Sequence, residues 1–124
     1  MSFWPRYPTI YEINTRVWLL ELSAKAGCSV NLGSVPSPAW DRIADYRVDA
    51  VWLMGVWQRS PASIATANCN NRLLDEFKRA LPDSQPQDNI GSAYSVRGYV
   101  VDQPLGGPED CPSRRASWPD AASA

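Results

Sequence analysis

The chain has 124 residues with 12 basic and 13 acidic side chains, for a formal net charge of −1. This length suits one domain, and the mixed charges include no basic stripe or polybasic helix that would indicate a nucleic-acid or membrane partner. Histidine is absent, which excludes Ser-His-Asp and Cys-His catalysis and His-ligated metals.

The first half of the chain predicts a strand, a helix and a second strand. β-Branched and aromatic residues follow Pro8, which predicts a strand from Ile10 to Trp18 whose second half is buried on both faces. After a loop rich in Gly, Ser and Pro, SPAWDRIADYR predicts a short helix that begins near Ser37. The apolar run from Val48 to Trp57 is typical of a central parallel strand. Together these elements predict a βαβ unit with a right-handed crossover.

The second half predicts a loop, a helix and a further strand. The segment QRSPASIATANCN is interpreted as a polar loop. In NNRLLDEFKRALPD, Asn70 or Asn71 is the predicted cap, leucines and Phe lie on one face, and Pro82 ends the helix. The segment GSAYSVRGYVVDQPLGG, residues 91–107, predicts a strand that ends in a turn.

The cysteines and the apolar runs predict the cellular compartment in which the protein resides. Cys28, Cys69 and Cys111 are far apart and form no C-x-x-C pair, which indicates free thiols in a reducing compartment. The first residues lack the apolar region of a signal peptide. The longest apolar run, Ala50 to Trp57, is shorter than the about 20 residues that cross a bilayer. A cytoplasmic, soluble protein without a cofactor is therefore expected.

Three segments together resemble the N-terminal part of the α-amylase family of glycoside hydrolases. They are YEINTRVW, VDAVWLMGVW and YSVRGYVVDQPLGG, in that order. The resemblance implies an α/β fold that is the incomplete N-terminal portion of a (β/α)8 TIM barrel, with the first two segments as strands one and two and the third as the following loop. It divides the chain into residues 1–107, a partial catalytic barrel, and residues 108–124, an irregular tail.

The resemblance implies a role for Tyr94. The family's loop has the pattern Y-D-x-x-D-Y-x-x-V-D-P-x-x-G-T, and its first tyrosine, matched by Tyr94, stacks on the sugar where the glycosidic bond is cut. An aromatic face suits this role because the C–H groups of a sugar form an apolar patch. Tyr99, Val101 and Asp102 match later positions, and for these three the residues themselves favour core packing with a local hydrogen bond.

The chain also departs from the family pattern. Ser95 and Gly98 stand where the family usually has acids, Gln103 stands where it often has Pro, and Gly107 replaces Thr. Loss of the second acid would loosen the loop that positions Tyr94.

The catalytic acids of the family have no counterpart here. The resemblance implies a retaining mechanism, in which a carboxylate nucleophile and a carboxylic acid lie about 5–5.5 Å apart. In the family these are an Asp on strand four and a Glu on strand five, with a further Asp on strand seven. None of the 13 acids can be assigned to these roles. No catalytic residue and no metal ligand is therefore predicted, and the chain is expected to be an inactive fragment.

The segment after Pro108 has no apolar period and predicts a disordered tail. A second hypothesis is a frameshift near Asp110 to Pro112. With GC-rich codons for PSRRASWPDAASA, another reading frame gives LAARFVAGRGLR, a helix end, a glycine turn and the start of a strand. The nucleotide sequence downstream of codon 107 distinguishes these two hypotheses.

The sequence therefore leaves three functional hypotheses. The first is a fragment of an α-amylase-type glycosidase, with an α-glucan or maltooligosaccharide as partner and neither nucleic acid nor membrane. The second is a non-catalytic carbohydrate-binding module, although Trp18, Trp40, Trp52 and Trp57 are expected to lie mostly in the core. The third is a structural or interaction role, or a non-functional gene remnant, and in either case the exposed sheet edges favour aggregation.

Overall fold

The computed structural model describes residues 4–106. The predicted tail, residues 108–124, and the proposed frameshift therefore lie outside the described residues. The elements, in chain order, are β1 (Ile10–Asn14), α1 (Thr15–Ala26), α2 (Ser37–Ala44), β2 (Ala50–Met54), β3 (Trp57–Arg59), α3 (Pro61–Asn68), α4 (Asn71–Ala80), a 3₁₀ turn (Pro86–Asp88), β4 (Val96–Val101) and a second 3₁₀ turn (Gln103–Leu105).

Strands β1 and β2 form a two-stranded parallel sheet, so the predicted parallel pairing is confirmed. Ile10 lies opposite Ala50, and helices α1 and α2 connect the two strands. At the start of the sheet, the Thr9 N–H donates to Asp49 Oδ2 at 2.7 Å, and the Asp49 N–H donates to the Thr9 carbonyl oxygen at 2.9 Å. These reciprocal bonds fix the register at which the two strands begin.

Helix α1 replaces the second half of the first predicted strand. The strand that was expected to reach Trp18 ends before Thr15, where α1 begins. Leu19 and Leu22 form the buried side of the helix, and Gly27 ends it with a left-handed φ of 69°. Packing of these leucines outweighs the strand preference of the β-branched and aromatic residues before them.

The barrel prediction is wrong for the described residues. Strands β3 and β4 pair antiparallel in a sheet of their own, whereas the strands of a (β/α)8 barrel are all parallel within one sheet. Residues 4–106 instead form a mixed α/β structure with four α-helices and two sheets of two strands each. The prediction of a fully buried central strand is also wrong, because Trp52 on β2 is 49% exposed.

The second half of the chain contains one confirmed helix and one that was not predicted. In α4 the Asn70 side chain accepts hydrogen bonds from the N–H groups of Arg72 and Leu73, which is the geometry of an N-cap. Helix α3 occupies the segment interpreted as a polar loop, and it begins at Pro61. Proline is favoured at the first position of a helix, because its missing N–H would have no intrahelical partner there.

The hydrophobic core lies between α1, the loop that follows it, and the end of β4. Leu32 in that loop is 1% exposed, and its N–H donates to the carbonyl oxygen of Leu105 at 2.9 Å. Trp18 and Trp40 both pack against this core. Their two rings meet each other edge to face, with centroids 4.9 Å apart. The buried members of this core are Leu19, Leu22, Val30, Leu32, Val35, Ala39, Val101 and Leu105.

Candidate functional site

Tyr94 lies in the turn before β4 and is 72% exposed. Its N–H donates to Ser92 Oγ at 3.2 Å, and the Ser92 N–H donates to Ser63 Oγ at 3.2 Å. Since Ser63 belongs to α3, these bonds tie the turn to a helix. The structure therefore presents the Tyr94 ring to solvent from a turn held by hydrogen bonds.

Gly91 sets the path of the segment that leads to Tyr94. Its φ is 83°, in the left-handed region that favours glycine. A Cβ at this position would overlap Ser63 Oγ and would lie 3.3 Å from Ile64 Cγ1. Asn89 Oδ1 also accepts a hydrogen bond from the Gly91 N–H at 3.0 Å. The close approach of this segment to α3 therefore requires glycine.

Arg59, at the end of β3, contacts the same segment. Its Nη1 donates to the carbonyl oxygen of Gly91 at 2.8 Å. Its Nη2 lies 3.3 Å from the position that a Cβ of Gly55 would occupy, and Ala93 Cβ lies 3.2 Å from that position. Because Gly55 directly follows β2, the guanidinium of Arg59 and the chain beside Tyr94 lie at the carboxyl end of that strand.

The charges near this guanidinium act on its pKa. Burial lowers the pKa of Arg59, the positive charge of Arg16 lowers it further, and the carboxylate of Asp102 raises it. Arginine nevertheless stays protonated in proteins. The guanidinium is therefore a permanent donor group, and the charges of Arg16 and Asp102 both act on it.

This arrangement lies where ligands bind in α/β sheets. Asn14, the last residue of β1, lies opposite Met54, the last residue of β2, so both strands end at the same edge. Ligands of α/β sheets bind at the carboxyl ends of the strands, because the loops that follow the strands meet there. Arg16 follows β1 at this edge, and Gly55 follows β2.

Tyr99, Val101 and Asp102, which follow Tyr94 in the same segment, differ from one another in burial. Val101 is buried, as expected for core packing. The Asp102 N–H donates to the Val56 carbonyl oxygen at 2.9 Å, which is a long-range bond and not the local one that was expected. The expectation that Tyr99 packs in the core is wrong, because Tyr99 is 80% exposed. Its ring meets the ring of Trp57 edge to face, with centroids 5.7 Å apart.

A β-bulge explains the exposure of Tyr99. Trp57 lies opposite Val101, whereas the next residue, Gln58, lies opposite Gly98. Tyr99 and Val100 are therefore extra residues on β4, without counterparts on β3. A bulge redirects side chains relative to regular alternation, so the alternating pattern of the sequence could not give the direction of Tyr99. Trp57, expected in the core, is likewise 38% exposed.

Metal binding has no support in the described part of the chain. Residues 4–106 contain no group of three or more Cys, Asp or Glu side chains arranged to hold a metal ion. The aromatic side chain that the structure exposes in this turn is that of Tyr94. An exposed ring of this kind can pack on an apolar face of a ligand.

Sequence reasoning missed Arg59, Gly91 and the exposed position of Trp57. Gly91 carried a usable signal, because an isolated glycine beside a strand often marks a close backbone approach. Arg59 carried no such signal, since its hydrogen-bond partner, the Gly91 carbonyl, is 32 residues away in the chain.

No protein-family model, curated protein or solved structure matches this chain. The resemblance to the α-amylase family therefore consists of the three sequence segments alone.

Proposed function

We propose that this chain is related to the α-amylase family of glycosidases and binds α-glucans or maltooligosaccharides in carbohydrate metabolism. The observation that supports this proposal is the position of Tyr94. The residue that matches the family's sugar-stacking tyrosine is 72% exposed, in a turn held beside the carboxyl end of β2. The proposal concerns this sugar-binding loop and not a barrel.

Tyr94 would stack on one face of a glucose ring. The C–H groups of a sugar form an apolar patch, and packing this patch on an aromatic ring removes apolar surface from water. Tyr94 combines an accessible ring with a backbone fixed by Ser92, so little conformational entropy is lost on binding.

Binding without cleavage is part of the proposal. A retaining glycosidase needs two carboxyl groups about 5–5.5 Å apart on either side of the bond, and none of the 13 acids is assigned to these roles. Incubation of the chain with an aryl maltooligosaccharide should therefore release no aryl alcohol. Turnover that copurifies with the chain through two different columns would contradict this part.

A cytoplasmic location is also proposed. Cys28 and Cys69 are exposed free thiols, and exposed thiols persist in reducing compartments. No helix within residues 4–106 has both the length and the apolar character needed to cross a membrane.

The test of sugar binding is a calorimetric titration with maltoheptaose. The substitution Tyr94→Ala should weaken binding about threefold to tenfold, because an aromatic stacking contact contributes about 0.5–1.5 kcal/mol. Tyr7→Ala is the matched control, since Tyr7 is 81% exposed and precedes β1, at the opposite end of the parallel sheet. Equal affinities of Tyr94→Ala and the unmodified chain, or no binding at all, would refute the proposal.

A further inference from the structure

Two arginines lie at the carboxyl end of the parallel sheet. Asn14 and Met54, the last residues of β1 and β2, lie opposite each other, and Arg16 lies in the first turn of α1, directly after β1. The guanidinium of Arg59 lies beside Gly55, since its Nη2 is 3.3 Å from the position that a Cβ would occupy there. One arginine therefore follows the end of β1, and the guanidinium of the other lies at the end of β2.

The charges of these two arginines interact. Burial, and then the positive charge of Arg16, lower the pKa of Arg59, whereas the carboxylate of Asp102 raises it. Within residues 4–106 neither arginine forms a salt bridge. Two cations and one carboxylate leave a net positive charge, and like charges at partly buried positions repel each other. An anion bound between the two guanidiniums would relieve this repulsion.

Both side chains keep hydrogen-bond donors available. Arg59 donates from Nη1 to the Gly91 carbonyl oxygen, but its Nε and Nη2, and the whole guanidinium of Arg16, have no acceptor among residues 4–106. The planar fork of a guanidinium matches the oxygens of a phosphate group and forms paired, charge-assisted hydrogen bonds with them. A phosphate group has more acceptor oxygens than a carboxylate, so it can engage both forks at once.

The start of helix α1 adds to the positive potential at this edge. The side chain of Asn14 caps none of the first N–H groups of the helix, and the first turn contains no acidic residue. The N-terminus of a helix carries a partial positive charge that favours an anion. The helix therefore reinforces the electrostatic preference that the arginine pair creates.

We propose that Arg16 and Arg59 form a binding site for a phosphate group at the carboxyl ends of β1 and β2. The phosphate group bridges the two guanidiniums. The bond of Arg59 to Gly91 fixes one fork in advance, which lowers the entropy lost on binding. The inference goes beyond sugar binding and does not depend on it, because Tyr94 takes no part in this site.

Calorimetric titration of the full chain with inorganic phosphate, in Hepes buffer at constant ionic strength, tests the site. Arg16→Gln should weaken binding about tenfold or more, because a charge and its hydrogen bonds to the anion are both lost. Arg16→Lys keeps the charge without the fork and should bind with intermediate affinity. Arg47→Gln is the matched control, since Arg47 is exposed and precedes β2, at the opposite end of the parallel sheet.

Urea unfolding gives a second readout. Phosphate should raise the unfolding midpoint of the unmodified chain and of Arg47→Gln, because a ligand of the folded state stabilises it, and the rise should be smaller for Arg16→Gln. Sodium chloride at the same ionic strength should not reproduce the rise, since it only screens the charges. If Arg16→Gln does not fold, Arg16→Lys decides. No binding, equal affinities of the Arg16 variants and the unmodified chain, or equal weakening by Arg47→Gln overturns the inference.

Titration with glucose 6-phosphate distinguishes a free anion from a phosphate ester as the ligand. Tighter binding of the ester than of inorganic phosphate identifies a phosphorylated ligand, whereas equal or weaker binding identifies the free anion. Both results support the site as long as Arg16→Gln weakens the binding concerned. Binding of the ester that is unchanged by Arg16→Gln overturns the inference and leaves the proposed sugar binding intact.

Discussion

Arg59 donates a hydrogen bond from Nη1 to the carbonyl oxygen of Gly91 at 2.8 Å, across 32 residues of the chain. This bond joins strand β3 to the segment that presents Tyr94. The contact is partly buried, so water cannot fully replace either partner. The position of the proposed sugar-stacking ring therefore depends on a cation on another element.

Substitution of Arg59 should loosen this connection. Arg59→Ala leaves the Gly91 carbonyl without its donor, which should lower the free energy of unfolding by about 1–3 kcal/mol. Arg72→Ala is the control, because Arg72 is exposed and its side chain pairs with Glu76 along the helix surface, where such pairs contribute about 0.3–0.5 kcal/mol. Urea unfolding measures both variants, and equal stability losses would contradict the role given to Arg59.

Gly91 and Gly27 form a matched pair of glycines with positive φ. Gly27→Ala should cost about 1–2 kcal/mol from the backbone alone, since nothing lies within 4 Å of the added Cβ. Gly91→Ala should cost more, about 2–5 kcal/mol, because the Cβ also overlaps Ser63 Oγ. The free energies of unfolding in urea report the difference. A smaller loss at Gly91 than at Gly27 would show that α3 and this segment do not pack as described.

The hydroxyl of Thr15 is buried and has no hydrogen-bond partner among the described residues. Thr15→Val keeps the shape of the side chain and removes a desolvated polar atom, so it should raise the free energy of unfolding by about 1 kcal/mol. Thr66→Val is the control, because Thr66 is exposed and its Oγ1 donates to the Ala62 carbonyl oxygen. That change should stay within about 0.5 kcal/mol. Destabilisation by Thr15→Val would mean that the hydroxyl has a partner in solution.

Substitution of Leu32 tests the location of the hydrophobic core. Leu32→Ala should lower the free energy of unfolding by about 2–5 kcal/mol, since Leu32 is among the most buried side chains of residues 4–106. Leu20→Ala removes the same atoms from an exposed position of α1 and should change stability by less than about 0.5 kcal/mol. Thermal and urea unfolding should give the same order, and a reversed order would place the core elsewhere.

Helices and strands could be predicted from the sequence where the local signals agreed with the tertiary structure. Asn70, the apolar face and Pro82 predicted α4, and the apolar runs predicted the two strands that pair in parallel. Helix α3 was predictable as well, because Ser60 and Pro61 are favourable residues for a helix start. The polar and small residues that follow were instead interpreted as a loop.

Other features could not be read from sequence, for physical reasons. Whether Trp18 continued a strand or belonged to a helix depended on the burial of Leu19 and Leu22 against distant residues. The exposure of Tyr99 depended on a bulge, and a bulge breaks the alternation on which burial predictions rely. The separate antiparallel sheet formed by β3 and β4 removed the basis for a barrel.

The pairing of Thr9 with Asp49 across 40 residues has a consequence during synthesis. At about 5–20 residues per second, β1 emerges from the ribosome about 2–8 seconds before its partner strand does. During this interval the unpaired edge of β1 can bind another nascent chain or a chaperone that recognises extended segments. The yield of folded protein should therefore depend on the speed of translation.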